Sequence, residues 1–254
     1  MLLLPAQKHL KQAFIHVLCY LLRDFYEKFA EVSLMSPFDF DKLIENHLAR
    51  ESKPKEAGRY YPSEIGGCMR KVWYSYKQPK PTQIDLIKIF EVGNIMHHFV
   101  AEVMRSEKNQ HVQLLESELP FKIQMEGFLV SGRIDDLLLL KEDGKKLLVE
   151  VKSTGNLSFS EGPESSHMMQ LQLYMHVLKE HNGLLLYIEK NTLRTKSYDI
   201  PYDEQLAAIA LQRFVTLHKH ITENKTPEPE ARVSRKEEIG WQCRRCEWRE
   251  ECWK

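Results

Sequence analysis

Four charged side chains lie at one end of a predicted β-hairpin, where charges near a core could bind a metal ion. In the segment SGRIDDLLLLKEDGKKLLVEVKS (residues 131–153), two apolar runs flank Asp143-Gly144, and Asp-Gly in this setting favours a tight turn. The charged residues are Asp135, Asp136, Glu150 and Lys152. Because a charge near a core must be paired, neutralised or bound to a metal, this end of the hairpin is a candidate site.

The hairpin register decides which of these side chains meet. If Asp143-Gly144 forms a two-residue loop, Lys152 lies opposite Asp135. Glu150 then lies opposite Leu137, on the same face as Lys152. Asp135, Glu150 and Lys152 should therefore cluster, with space for a divalent cation between the two carboxylates. A slip of one residue would turn Asp136 inward instead, so Asp136 is the alternative carboxylate.

These residue types suit the hydrolysis of a phosphodiester. Mg²⁺ prefers oxygen ligands and keeps several waters, so two carboxylates can anchor it beside a phosphate. A bound ion lowers the pKa of water and stabilises the charge that develops on the phosphate. Lys152 would add a positive donor where that negative charge grows.

The elements that must position this site alternate along the chain. We predict strands near 112–125, 128–141, 146–152, 184–190 and 193–200, and helices near 83–106, 164–181 and 203–223. One helix is predicted to run through SEIGGCMRKVWYSYK (63–77), after a polar connector at 51–62. Residues 1–50 are predicted to form two helices. Helices flanking a mixed central β-sheet indicate an α/β fold.

The composition limits the classes of partner. Hydrophobic residues make up 43% of the 254 residues, which is enough for a substantial core, and the formal net charge is zero. Binding to nucleic acid would therefore depend on local basic patches. The longest apolar stretch near the start, Ala13–Leu22, contains His16 and is too short to span a membrane. We expect a cytoplasmic protein with no membrane segment.

The cysteines indicate a second metal site. Three of the five, Cys243, Cys246 and Cys252, lie within the last twelve residues and include a Cys-x-x-Cys pair. In a cytosolic chain this pattern favours metal ligation over disulfides. A fourth ligand would have to come from elsewhere in the chain. Cys19 lies on an apolar helical face and is expected to be a small buried residue.

The spacing of several motifs resembles the RecB-like branch of the PD-(D/E)XK nucleases. The motifs are Gly93-x-x-x-His97, Asp135, Glu150-x-Lys152 and Gln170-x-x-x-Tyr174. The resemblance implies that His97, Asp135, Glu150 and the Val151 carbonyl bind Mg²⁺ or Mn²⁺, and that Lys152 orients the attacking water. It also implies that Gln170 and Tyr174 line the active site and contact the DNA backbone. Glu118 matches a glutamate on the first strand of such nucleases.

The cysteine layout resembles that of the CRISPR-associated adaptation exonucleases within this branch. The resemblance implies that Cys68, Cys243, Cys246 and Cys252 hold a [4Fe–4S] cluster. Zinc on the same four thiolates is the alternative, since spacing does not distinguish the two. Basic residues beside these cysteines would then form a patch that binds DNA: Arg70, Lys71, Arg244 and Arg245.

These resemblances imply an organisation and a function. We expect an N-terminal helical extension at 1–60, a nuclease core at 61–226 and a cysteine segment at 227–254 that packs back on Cys68. The expected activity is that of a metal-dependent DNA exonuclease on single-stranded ends, in CRISPR spacer acquisition beside the integrase. The alternatives are a standalone viral or recombination nuclease, and a non-catalytic iron–sulfur or zinc subunit that binds DNA.

Overall fold

The computed structural model describes residues 19–20, 22–23, 38–49, 54–159, 162–232 and 241–254. The chain divides into two compact units, Met1–Ala49 and Arg50–Lys254. The first unit contains helix α1 (Phe40–Leu48), which begins where the Asp39 carboxylate accepts a hydrogen bond from the Lys42 backbone at 3.0 Å. The first predicted helix lies almost entirely outside the described residues. Cys19, which we expected to be buried, is exposed.

The second unit contains every predicted site residue and alternates helices with strands. In chain order, its elements are β1 (Arg59–Tyr60), α2 (Pro62–Ile65), α3 (Met69–Lys77), α4 (Ile84–Arg105), β2 (Val112–Met125), β3 (Phe128–Leu140), β4 (Lys146–Thr154), α5 (Ser165–Leu178), β5 (Asn182–Glu189), β6 (Thr195–Pro201), α6 (Glu204–Thr222), α7 (Trp241–Arg244) and α8 (Arg249–Cys252). Short 3₁₀ turns occupy Leu157–Phe159 and Glu230–Arg232.

The strands form one mixed sheet in the order β1-β3-β4-β5-β6, with β2 paired to β3. β2 covers one edge of β3 along its whole length, so β1 and β4 share the other edge. β1 pairs with Leu129 and Val130, and β4 pairs with residues 136–139. Residues 131–135 of β3 therefore lie in a gap between two neighbouring strands, and Asp135 stands at its margin.

Helices cover both faces of the sheet, as the predicted α/β fold requires. On one face, α4 packs Val100 against Leu138, Val149 and other apolar residues of β4 and β5. On the opposite face, α5 packs Leu171 and Tyr174 against a core that includes Leu137. The alternation of side chains along β3 thus supplies two separate cores from one strand.

Two local predictions were wrong. The predicted helix at 63–77 is split at Gly66-Gly67 into α2 and α3. A Cβ on Gly66 would lie 2.2 Å from the Ser166 Cα, so only glycine allows this loop to touch the start of α5. The connector at 51–62 contains β1, whose Tyr60 is fully buried. A strand of two residues in a polar segment offers too little periodicity to be recognised.

Candidate active site

The β3–β4 hairpin has a different register from the predicted one. Leu137 pairs with Leu148, and the turn contains four residues, 141–144, closed by a hydrogen bond from the Leu140 backbone to the Lys145 carbonyl at 2.8 Å. The predicted oppositions of Lys152 to Asp135 and of Glu150 to Leu137 were therefore wrong. The shift amounts to two residues, so Glu150 and Lys152 still share the sheet face of Leu148.

Asp135 stands where β3 and β4 part. The paired ladder ends at Asp136 and Val149. Beyond it, the Val151 N–H donates to Asp135 Oδ2 at 2.7 Å, so a carboxylate takes the place of a strand carbonyl. The other oxygen, Oδ1, lies 3.2 Å from His97 Nδ1 on α4. Burial alone would lower the pKa of His97, but the hydrogen bond to Asp135 and the charge of Asp135 raise this pKa overall.

Asp136, the alternative carboxylate, points to the other face of the sheet. It is buried, and its Oδ1 has no hydrogen-bond partner among the described residues. Burial raises its pKa. The structure therefore brings Asp135, and not Asp136, to the side of Glu150 and Lys152.

Glu118 on β2 joins this group through an unusual backbone conformation. Its φ of 56° lies in the left-handed region, which is uncommon for a residue other than glycine and costs about 1–3 kcal/mol. One ligand atom each from Glu118, His97 and Asp135 lie within 4.8 Å of one another. Arg133 Nε lies 3.1 Å from the Glu118 carboxylate. Two carboxylates and an imidazole are suitable donors for a divalent cation.

Glu150 is the most deeply buried carboxylate of the site, with 1% of its surface exposed. Its Oε1 lies 2.5 Å from Lys152 Nζ, while its Oε2 has no hydrogen-bond partner among the described residues. Burial, and then the charge of Asp135, raise the pKa of Glu150. An unpaired buried carboxylate oxygen beside a second carboxylate fits a site that holds a cation.

Two residues of α5 hold Lys152 in place. The Lys152 ammonium donates to Gln170 Oε1 at 3.1 Å, and Gln170 Nε2 donates to the Tyr174 hydroxyl at 2.7 Å. Gln170 and Tyr174 lie four residues apart and so share one helical face. Phe121 packs edge-on against the Tyr174 ring at 5.1 Å between centroids. Both side chains of this motif are buried. They therefore hold the Lys152 ammonium from the protein interior, where they are shielded from solvent.

A cleft that the sequence did not indicate opens beside Lys152. Its volume is about 740 Å³, and its lining includes His167 and Tyr187. His167 Nδ1 lies 2.9 Å from the Tyr187 hydroxyl. The sequence offered one clue to this cleft, since His167 precedes Gln170 by three residues and so lies on the same face of α5.

The four predicted cluster ligands line one cavity, although they come from distant parts of the chain. Cys68 caps the start of α3, and Cys243, Cys246 and Cys252 belong to the C-terminal segment. Burial raises the pKa of the Cys246 thiol, and the neighbouring Cys68 and Cys252 raise it further. Trp248 attaches this segment to α3, because its ring stacks on Tyr74 and its indole N–H donates to the Gln78 carbonyl at 2.9 Å.

The predicted basic patch divides into two kinds of residue. Arg70 is partly buried, donates to the Pro227 carbonyl at 2.6 Å and lies 3.8 Å from Cys252 Sγ. It therefore forms part of the wall of the cysteine cavity. Lys71 lines the same cavity but is exposed, and Arg244 and Arg245 are exposed as well. Gln242 lines both the cysteine cavity and the cleft beside Lys152, so the two cavities are neighbours.

Comparison with known proteins identifies the family. Residues 26–253 match the family model of the PD-(D/E)XK nuclease superfamily. The chain therefore belongs to this superfamily and is a nuclease, as its motifs predicted. The CRISPR-associated exonuclease Cas4 of Saccharolobus solfataricus is 25% identical over 174 residues, which are 67% of this chain and 82% of that protein. The crystal structure of SSO0001 shares the fold, with a TM-score of 0.53 and 22% identity over 82% of this chain and 90% of that one.

Within the described residues, none of the helices combines the length and the apolar character needed to cross a bilayer.

Proposed function

We propose that this nuclease is a divalent-metal-dependent DNA exonuclease that degrades single-stranded ends. The observation that carries the proposal is the convergence of Asp135, Glu150 and Lys152 at the point where β3 and β4 part. The exonuclease activity and the DNA substrate are inferred from the related CRISPR-associated exonuclease. The same relationship supports a role in trimming DNA before it is integrated as a CRISPR spacer.

The residues present fit a divalent cation. Asp135, Glu118 and His97 supply clustered donors, and Glu150 supplies a buried oxygen without a partner. Mg²⁺ or Mn²⁺ held there would polarise the phosphate and lower the pKa of a nearby water. The Lys152 ammonium, fixed between Glu150 and Gln170, places a positive donor where negative charge grows on the phosphate.

We further propose that Cys68, Cys243, Cys246 and Cys252 hold a [4Fe–4S] cluster. Four cysteines lining one mostly apolar cavity are a suitable ligand set. Zinc on the same four thiolates is the alternative occupant. The resemblance of the cysteine layout to that of the CRISPR-associated exonucleases favours the cluster over a single zinc ion.

Digestion of end-labelled DNA tests the proposed activity. The substrate is a duplex with single-stranded tails, incubated with Mg²⁺, Mn²⁺ or EDTA, and closed circular single strands serve as the control. We expect the tails to be removed with either metal and the circles to survive. Cleavage of circles would indicate an endonuclease, and activity that is unaffected by EDTA would contradict metal dependence.

A further inference from the structure

We propose that the neutral side chain of His167 binds a phosphate of the substrate strand next to the phosphate that is cleaved. This inference rests on the nuclease function proposed above. It assigns a substrate contact to the cleft beside Lys152, whose lining does not include Asp135 or His97.

The cleft has the character of a binding site for a phosphodiester strand. It begins at Lys152 and has a volume of about 740 Å³, within the range of natural ligand sites. Uncharged polar side chains dominate its lining: Ser153, Thr154, Asn156, Ser165, Ser166 and Tyr187. Hydroxyl and amide groups of this kind are common partners of phosphate and sugar oxygens.

The hydrogen bonds around His167 indicate which of its nitrogens carries the proton. The Tyr187 hydroxyl accepts from the Glu164 N–H at 3.0 Å and lies 2.9 Å from His167 Nδ1. Since the backbone N–H already occupies one acceptor position of the phenolic oxygen, we assign the second hydrogen bond as donation from the hydroxyl to Nδ1. Burial, and then the charge of Lys152, lower the pKa of His167 to about 4. A neutral ring whose Nδ1 accepts must carry its proton on Nε2.

The Nε2–H group is therefore a neutral donor in the cleft. Among the described residues, the nearest carboxylate oxygen is Glu164 Oε2, which lies 3.9 Å from Nε2 and is too far for a hydrogen bond. His167 and Gln170 share one face of α5, and Gln170 holds Lys152. A strand whose scissile phosphate meets Lys152 would thus bring an adjacent phosphate to His167.

A scan with neutral linkages tests this contact. Single-stranded oligonucleotides, each with one methylphosphonate linkage at a different distance from the cleaved bond, are digested under single-turnover conditions. For wild type, we expect one position adjacent to the cleaved bond to slow cleavage by about tenfold, the loss of one good hydrogen bond to a charged group. His167→Phe should slow cleavage of the unmodified strand by a similar factor and lose its sensitivity at that position.

Matched variants separate this contact from a structural role. His167→Gln, whose amide N–H reaches about as far as Nε2, should retain the sensitivity, and His167→Asn, which is too short, should lose it. His176 forms a similar pair with the Tyr202 hydroxyl at 2.8 Å on the same helix but is absent from the cleft lining. His176→Phe should therefore behave as wild type. If both His167→Phe and His167→Asn keep the wild-type scan, the proposal is wrong.

The pH dependence gives a second readout. Within the part of the chain that the structure describes, the titratable groups around His167 are Lys152, Glu164 and Tyr187. Because the lowered pKa keeps His167 neutral above about pH 5, the ratio of wild-type to His167→Phe rates should be constant from about pH 6 to 9. A ratio that falls as pH rises would indicate a protonated histidine and overturn the neutral contact. If wild type itself cleaves no DNA, the proposed function fails instead.

Discussion

At the scale of single residues, the Lys152 ammonium is held by the Glu150 carboxylate and by the side chain of Gln170. Gln170 Oε1 accepts from Lys152, and the Gln170 amide is itself fixed by the Tyr174 hydroxyl. A lysine stem has four rotatable bonds, so its head group needs such a partner to stay in one place. The second glutamine of α5, Gln172, instead ties the helix to the end of β6.

We therefore expect different outcomes at these two glutamines. Gln170→Leu should lower kcat of the folded protein by about ten- to a hundredfold, because the ammonium loses its fixed position, and should also lower stability, because the buried Tyr174 hydroxyl loses its partner. Gln172→Leu should lower the free energy of unfolding by about 1–3 kcal/mol and leave kcat of the folded protein near wild type. The readouts are steady-state kinetics and thermal denaturation. Wild-type kcat in Gln170→Leu would show that the pair does not position Lys152.

The sheet face that Glu150 and Lys152 share was predictable from the sequence, because it depends only on the alternation of side chains along the strand. The real turn has four residues and not two, but this error moves the pairing by two positions. A shift of two leaves Glu150 and Lys152 on the same face, whereas a shift of one would have exchanged the faces. The conformation of Glu118 could not be predicted, because no local pattern indicates a left-handed glutamate within a strand.

At the scale of elements, the loop that carries Cys68 is held by an ion pair from two later elements. Arg213 of α6 donates to the Ile65 and Gly67 carbonyls and, at 2.8 and 2.9 Å, to the Glu230 carboxylate. Glu230 in turn accepts from the Met69 N–H at the start of α3. Burial alone would raise the pKa of Glu230, but these donors lower it below its ordinary value.

This pair predicts an acid-sensitive contribution to stability. A carboxylate whose pKa is lowered by folding stabilises the protein above its unfolded pKa, and that contribution disappears as pH falls through the folded value. Wild type should therefore lose more stability than Glu230→Gln between about pH 6 and pH 3. The effect should be modest, since 39% of the Glu230 side chain is exposed. The measurement is the melting temperature of both proteins across this pH range. If the two melting temperatures fall in parallel as the pH is lowered, the role of the pair is contradicted.

Most elements could be predicted from the sequence because they are long and periodic. Helix α4 and the three strands from Val112 to Thr154 lie close to their predicted limits. The exceptions, β1 and the break between α2 and α3, depend on tertiary contacts. Tyr60 fills the core beside β3, and Gly66 permits contact with α5.

At the scale of the whole molecule, the cysteine cavity joins the two ends of the nuclease unit. Cys68 precedes the catalytic strands and Cys243 follows them, so a shared cluster would close a loop of about 175 residues. Closing a long loop removes entropy from the unfolded chain, and metal binding of this kind is coupled to folding. The proposed cluster should therefore act on stability and DNA binding, because the residues proposed to be catalytic lie outside the cysteine cavity.

Replacing one cysteine ligand should remove the cluster and lower the stability of the protein. We expect Cys246→Ser, purified anaerobically, to lose iron and sulfide together, from about four of each per chain, and to melt at a lower temperature than wild type. Cys19→Ser is the matched control and should keep both. Elemental analysis and visible absorption are the measurements. One zinc and no iron in the wild type would overturn the cluster but leave the four-cysteine site in place.

The central claim is that Asp135, Glu150 and Lys152 act as one catalytic unit, and single-turnover digestion of end-labelled DNA with Mn²⁺ tests it most directly. We expect the rate to fall by at least about a thousandfold in each of three variants: Asp135→Asn, Glu150→Gln and Lys152→Met. A variant that combines two of these changes should be little slower than the slower of its two single variants. Asp143→Asn, in the exposed turn of the same hairpin, should cleave as wild type. A correctly folded Asp135→Asn or Lys152→Met with a near wild-type rate would contradict the account.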